Sequence, residues 1–153
     1  MIKRILNPDE ISLIIEDIFP IIEEKYQWYI DSEYLSLTVD KECFISEIRE
    51  ALSSGSVVVY SNKEKGSYNA LGVFITQTNA ILKKIFLSEL ILWSNKPRVG
   101  FEIFEEACKL GKSHGYEYIT MSSRDNNPDK DRFEKILRRK GLVKESSTFV
   151  MKL

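Results

Sequence analysis

The sequence predicts a mixed α/β fold: a mostly antiparallel central sheet flanked by helices on both faces, in the order β-α-α-β-β-β-α-β-α-β-β. Three observations predict it. Apolar residues recur at three- and four-residue spacing in several stretches, and runs of β-branched residues lie between them. Helix start and stop signals bracket the periodic stretches. Short turn-forming segments join the β-branched runs, so strands fold back on one another and the sheet must be covered by helices.

In chain order, Ile2–Leu6 reads as a short strand. Asn7 as N-cap, Pro8 at the first helical position and Glu10 near a capping-box position start a helix. Ile11, Ile14, Ile15, Ile18, Phe19 and Ile22 form its buried face, and Pro20 within that pattern is expected to kink or split it. An aromatic segment follows, with Tyr26, Trp28, Tyr29 and Tyr34 around Asp31 and Glu33. A second helix begins at Asp40 as N-cap, with Val39 and Phe44 spaced for a hydrophobic staple. Phe44, Ile48, Ala51 and Leu52 form its inner face, and Gly55 ends it.

Val57–Ser61 is a β-branched strand, Asn62–Ser67 a turn, and Ala70–Thr78 the returning strand. Asn79 turns the chain again into a long apolar strand, Leu82–Trp93. Residues 97–114 form a third helix, with Val99, Ile103, Ala107 and Leu110 on one stripe joined by Phe104 and Cys108, and His114-Gly115 closing it. Tyr116–Ser122 is a strand, Arg124–Asp129 a polar loop, and Phe133, Ile136 and Leu137 the core face of a last helix that Gly141 stops. Leu142–Glu145 and Thr148–Lys152 are expected as a final pair of strands.

At 153 residues and 17.8 kDa this is one domain's worth of chain, with no repeat, linker or low-complexity tract. Lys+Arg 22 against Asp+Glu 23 gives a net charge of -1, which removes the usual electrostatic case for a nucleic-acid binder. The last third is locally basic, answered by acidic residues in the first half, a local bias that a phosphate-bearing small molecule could use. Cys43 and Cys108 lie in helical segments and read as buried small hydrophobes. Met1–Leu6 is too short for a signal peptide, and no run approaches the roughly 18 apolar residues of a membrane span, so a cytoplasmic protein is expected. No His, Cys or carboxylate cluster has metal-ligand spacing.

The element order, over essentially the whole chain, resembles the GNAT acetyltransferases. The likeness is closest in FLSELILW-SNKPRVG-FEIFEEACKLGKSHGYEYITMSS, where a hydrophobic strand, a loop, an amphipathic helix ending His114-Gly115-Tyr116 and the next strand fall in register. The stretch from Asp125 to Leu153 is similar to the family's final helix, Lys-Gly-Phe-like turn and closing hairpin, and Gly72 to the glycine of its third strand. Two departures stand out. Asn95 and Arg98 occupy places where the family's loop has Gln or Arg and a glycine, and Leu137 stands where members often carry a thiolate-protonating tyrosine.

The resemblance implies acetyl-CoA as co-substrate, no metal, and direct transfer of an acetyl group to a primary amine. It places the pyrophosphate at the start of the third helix, where free amides and the macrodipole suit an anion. Arg98, Val99, Gly100 and Phe101 would supply those amides, and Lys96 and Arg98 mobile cations. The plainer reading is a strand-to-helix turn with solvated charges. Leu92 and Trp93 would lend backbone groups to the pantetheine arm, and Asn126 resembles a family asparagine that contacts it; Trp93 reads equally as core and Asn126 equally as a turn residue.

Glu89 is the candidate base, being an acid inside an apolar strand where burial raises a carboxyl's pKa; its plainer reading is a solvated strand residue. Ser122, with Ser123, ends the next strand and either orients a water or the thiolate or caps the strand. Trp28, Tyr29 and Asp31 suit a cationic amine, a small polyamine-like molecule or a lysine side chain, by cation–π and ion pairing. The same aromatics could wall a core or mediate a homodimer. Two rivals remain: a GNAT-like shell that binds CoA without turnover, and an interaction protein that needs no cofactor.

Overall fold

The computed structural model describes residues 1–32, 37–38 and 40–145, with side chains for 1–30 and 40–145. The expectations for Glu33, Tyr34, Val39, the Asp31 side chain and the Thr148–Lys152 strand lie outside those residues.

Strand β1 (Ile2–Ile5) leads into α1 (Asp9–Lys25). Asn7 Oδ1 accepts the Asp9 N–H at 3.0 Å and Pro8 already has helical φ and ψ, so the expected start is realised. Pro20 does not split the helix, which runs unbroken past it. Pro20 is exposed, so the carbonyl deprived of its usual partner one turn earlier can be satisfied by water. A short helix α2 (Gln27–Ile30) and a ribbon of β2 (Asp31–Ser32) against β3 (Leu37–Thr38) occupy the aromatic connection.

Helix α3 (Lys41–Ser53) starts on Asp40, whose Oδ1 accepts the Cys43 N–H at 2.7 Å. It ends at Gly55, φ +75°, where the Gly55 and Ser56 N–H groups return to the Leu52 and Ala51 carbonyls. Cys43 is exposed on this helix rather than buried, and Cys108 is half-buried; both are free thiols.

Strands β4 (Val57–Glu64) and β5 (Ser67–Asn79) form a hairpin longer than the expected one, because the turn needs only Lys65 and Gly66, at φ +52° and +89°. Asn79 Oδ1 caps the next turn by accepting the Ile81 and Leu82 N–H groups. Strand β6 (Lys84–Ser94) returns along β5, and α4 (Pro97–Ser113) follows. Strand β7 is only Ile119–Thr120, and α5 (Lys130–Arg139) is the last helix. Leu142–Glu145 forms no strand.

The sheet order is β1-β4-β5-β6-β7, antiparallel except for the parallel β6–β7 pair. Helices cover both faces, as expected. On one, the Ile11–Ile22 stripe of α1 and Ile45 and Ile48 of α3 pack on Ile5, Val57, Val59, Leu71, Val73 and Trp93. On the other, Ile103 and Ala107 of α4 pack on Val58, Tyr60, Ala70, Phe74 and Leu87. Alternate residues of β4 and β5 therefore feed two cores.

Two features of the sheet build the site. Val73 pairs with Ile91 and Phe74 with Glu89, so Leu90 is an extra residue that bulges from β6. Strand β7 pairs only with Leu87 and Ser88, so β6 has an open edge from Glu89 onward.

Candidate active site

The open edge of β6 faces a cavity of about 500 Å³ walled by the start of α4, by α5 and by the loop after β7. Pro97, Gly100 and Phe101 come from α4, and Phe133 and Ile136 from α5. A second cavity of about 420 Å³ lies on the α1 and α3 face, and the two share Tyr29, Leu90, Trp93 and Arg124 in their walls.

Glu89 sits at the mouth of the open edge, half-buried. Its Oε2 accepts the Ser122 N–H at 3.1 Å, spanning the gap that the β6–β7 ladder leaves. Burial pushes its carboxyl above the usual carboxylate range, and the Ser122 N–H, the Arg124 charge and the Leu92 N–H oppose that rise. Ser122 thus contributes its backbone, beside a hydroxyl that also favours the carboxylate.

Tyr29 reaches the same edge from α2. Its hydroxyl oxygen accepts the Leu92 N–H at 2.9 Å, so that donor is already taken by a side chain. The Arg124 guanidinium lies 4.7 Å from the Tyr29 ring centroid, and its Nη1 donates to the Tyr29 carbonyl. Trp28 meets Tyr29 edge-on at 5.6 Å. Burial and the Glu89 charge raise the Tyr29 phenol far above its ordinary value, against the pull of Arg124 and the Leu92 N–H.

At the start of α4 the amides are less free than the sequence suggested. Val99 and Gly100 turn their N–H groups to the Lys96 carbonyl at 2.9 and 3.4 Å, whereas the Arg98 N–H has no partner among the described residues. The two cations are paired: Lys96 Nζ with Glu64 at 2.7 Å and Arg98 Nε with Glu102 at 2.8 Å. These pairs are exposed, and pairs of that kind contribute only about 0–1 kcal/mol, so an arriving polyphosphate can displace them. Gly100 is buried, and a Cβ there would stand 3.1 Å from Ser94 Oγ.

These residues fit the arm and thioester of acetyl-CoA. The cavity wall is largely apolar, β6 offers an unpaired strand edge, and Trp93 Nε1 is a buried donor without a partner among the described residues. A carbonyl brought into the cavity would satisfy it.

Of the residues singled out in the sequence, Glu89, Leu92, Trp93, Gly100, Phe101, Ser122, Trp28 and Tyr29 meet at this cavity. Lys96, Arg98 and Val99 do not line it, although they belong to the helix start beside it. Asn126 binds the Trp28 carbonyl at 2.8 Å, tying the loop to α2, and its neighbour Asn127 lines the cavity. Asp31 lies in β2. Sequence reasoning missed Arg124 and Arg132. Arg124 follows directly on the two serines that end the fifth strand, and a cation in that place was the available signal. Among the described residues no group of His, Cys, Asp or Glu is placed to hold a metal, and no helix is long and apolar enough to cross a membrane.

No protein-family model matches the sequence, and no curated protein matches it. Solved structures do match. A tetramutant of the BH1408 protein from Bacillus halodurans is 16% identical with a TM-score of 0.71, over 100% of this chain and 99% of that one. An aminoglycoside acetyltransferase, meta-AAC0020 from an uncultured soil metagenomic sample, solved in complex with sisomicin, is 11% identical with a TM-score of 0.70, over 100% and 95%. A predicted acetyltransferase with acetyl-CoA from Clostridium acetobutylicum is 9% identical with a TM-score of 0.69, over 99% and 96%. With the bulged strand, the open sheet edge and this end-to-end likeness together, the chain has the fold of the GNAT acetyltransferases.

Proposed function

We propose that the chain is an N-acetyltransferase that moves an acetyl group from acetyl-CoA directly to a primary amine, on a small polyamine-like molecule or a lysine side chain. The observation that carries this reading is Glu89: a half-buried carboxylate at an open sheet edge, fixed by the Ser122 N–H and facing a cavity that runs to the start of a helix. Fold neighbours solved with acetyl-CoA and with an aminoglycoside support the donor and an amine acceptor.

Bound acetyl-CoA supplies an electrophilic thioester carbonyl. Gly100, Phe101 and the Arg98 N–H would hold its phosphate end, with Lys96 and Arg98 released from their surface pairs, and Trp93 and the β6 edge at Leu92 would hold its arm. Glu89 accepts the proton that the amine must lose, and a carboxyl raised by burial is a stronger base than an ordinary one. Ser122 orients it. Trp28, Tyr29 and Asp31 form the acceptor side, and holding both reactants close removes much of the entropic barrier.

A second reading, a GNAT-fold protein that binds CoA or a protein partner without turnover, is favoured by two observations. The Val99 and Gly100 amides are turned inward, and Leu137 is a buried leucine where a proton donor is common in the family.

Thermal unfolding with acetyl-CoA, CoA and ATP, followed by thiol release on an amine panel, separates the readings. Binding at a hundredfold excess over Kd adds about 2.7 kcal/mol of stability. A shift with both CoA forms that ATP does not match, together with thiol release, is the expected result. A shift without turnover on any amine selects the second reading, and no shift with any nucleotide refutes both CoA readings.

A further inference from the structure

Tyr29 stands where the two cavities share a wall, beside Glu89 and against the stretch of β6 from Glu89 onward that β7 leaves unpaired. Its oxygen accepts the Leu92 N–H at 2.9 Å, which directs the phenol's own proton away from β6. Nothing among the described residues accepts that proton. The ring is fixed from several directions. Arg124 lies over it, Trp28 touches it edge-on, and the loop after β7 holds two successive carbonyls of α2, Arg124 on that of Tyr29 and Asn126 on that of Trp28.

We propose that the Tyr29 hydroxyl is a catalytic hydrogen-bond donor to the oxygen of the transferred acyl carbonyl, with its own oxygen anchored on the Leu92 N–H; this rests on the acyl-transfer reading above. The serine hydroxyls in the cavity wall are less suited. Ser94 Oγ is spent on the Lys96 carbonyl at 2.5 Å, and Ser122 lies against Glu89. Helix α5 brings Arg132, Phe133 and Ile136, none of which carries a hydroxyl, and Leu137 is buried. A phenol that holds its proton firmly, as burial and the Glu89 charge ensure here, donates without ionising.

The proton balance then closes without a residue at position 137. Once the bound ammonium has released one proton to solvent, Glu89 takes the next from the neutral amine as its nitrogen bonds to the carbonyl carbon. Tyr29 stabilises the charge gathering on the carbonyl oxygen and keeps its own proton. Glu89 returns the amine's proton to the sulfur as the C–S bond breaks, leaving an amide, a free thiol and the carboxylate restored.

The test is Tyr29→Phe, which keeps the ring and removes only the hydroxyl. Acetyl-CoA carrying a ¹³C-labelled carbonyl is bound to each protein, and its carbonyl stretch is read by difference infrared spectroscopy, with kcat and KM measured in parallel. In the unsubstituted protein the stretch lies below that of free acetyl-CoA, and in Tyr29→Phe it moves back toward the free value while Kd stays within a few-fold. The parallel loss is about 10²–10³ in kcat at nearly unchanged KM. An identical stretch in both proteins overturns the role of Tyr29 and leaves the acyl-transfer reading standing. If neither protein binds acetyl-CoA, the acyl-transfer reading fails and the role of Tyr29 falls with it.

Discussion

Gly72 is the position where the fold leaves no room for a single methyl group, and Gly72→Ala measures how rigidly α4 is seated. A Cβ built there lies 2.4 Å from Ile103 Cγ2 and 3.1 Å from a Phe74 ring carbon, and both neighbours are 0% exposed. Carbon contacts settle near 3.5–4.0 Å, so roughly an ångström of movement is required, either of β5 or of the helix that carries the phosphate-side residues. Two effects compete. Removing a glycine from the unfolded chain stabilises by about 0.4–1 kcal/mol. Overpacking a closed core costs about 1–3 kcal/mol.

The clash is deep and has no flexible side chain to absorb it, so overpacking wins by about 1–2 kcal/mol. For a chain of this size that lowers Tm by roughly 3–8 °C. Urea unfolding should show a lower midpoint at an unchanged slope. Repeating the substitution in an Ile103→Ala background, where Cγ2 is gone, should reduce its cost to within about 0.5 kcal/mol of zero. If Gly72→Ala costs nothing, or costs the same in both backgrounds, the close seating of α4 on β5 is refuted.

Gly100 should behave differently: its Cβ would meet only Ser94 Oγ at 3.1 Å, and a gain in helix propensity of about 1 kcal/mol opposes the contact. Gly100→Ala is expected to change stability by less than about 1 kcal/mol in urea titration, whereas Gly100→Glu should abolish the acetyl-CoA-dependent rise in Tm. Glu89 has a raised carboxyl in the folded state, so the native protein holds its proton more tightly than the unfolded chain does. Its stabilising contribution is full below the unfolded pKa, about 4.3, and is lost as pH rises through the folded value, so Glu89→Gln should gain stability relative to the unsubstituted protein across that window. A difference between the two that does not change with pH would contradict the burial of this carboxyl. The acidic limb of the kcat/KM profile should vanish with the same substitution.

Helices were legible in the sequence because their signals are local. The Asn7 and Asp40 caps, the Gly55 stop and the Ile11–Ile22 stripe each lie within a few residues of what they specify. The Lys65–Gly66 turn was legible for the same reason, although pairing carries the strands closer to it than β-branched composition suggests. Strand β7 was overextended. Alternation through Tyr116–Ser122 marks a half-buried segment but says nothing about how much of β6 remains parallel to it. Glu89 and Gly100 could be singled out from their own neighbours, but the grip of Arg124 on Tyr29 joins residues 95 positions apart. That contact follows from the short helix α2 and the loop after β7 converging on one sheet edge, which no short window of sequence contains.

The extra residue in β6 also changes how that strand must be read. Along an unbroken strand, residues an odd number apart point to opposite faces. Leu87 and Leu92 nevertheless both belong to the α4 side, while Ser88 pairs with Ile75 and Ile91 with Val73, both facing α1. Leu90 is a phase shift that resets the parity of everything after it. Pairing Leu90 into a straight ladder, opposite Val73, would exchange the faces of the last four residues, whereas deleting it would leave them on the faces they now occupy. In the straightened strand Trp93 would turn from its core toward α4 and Leu92 would turn the other way, without any side chain having been altered.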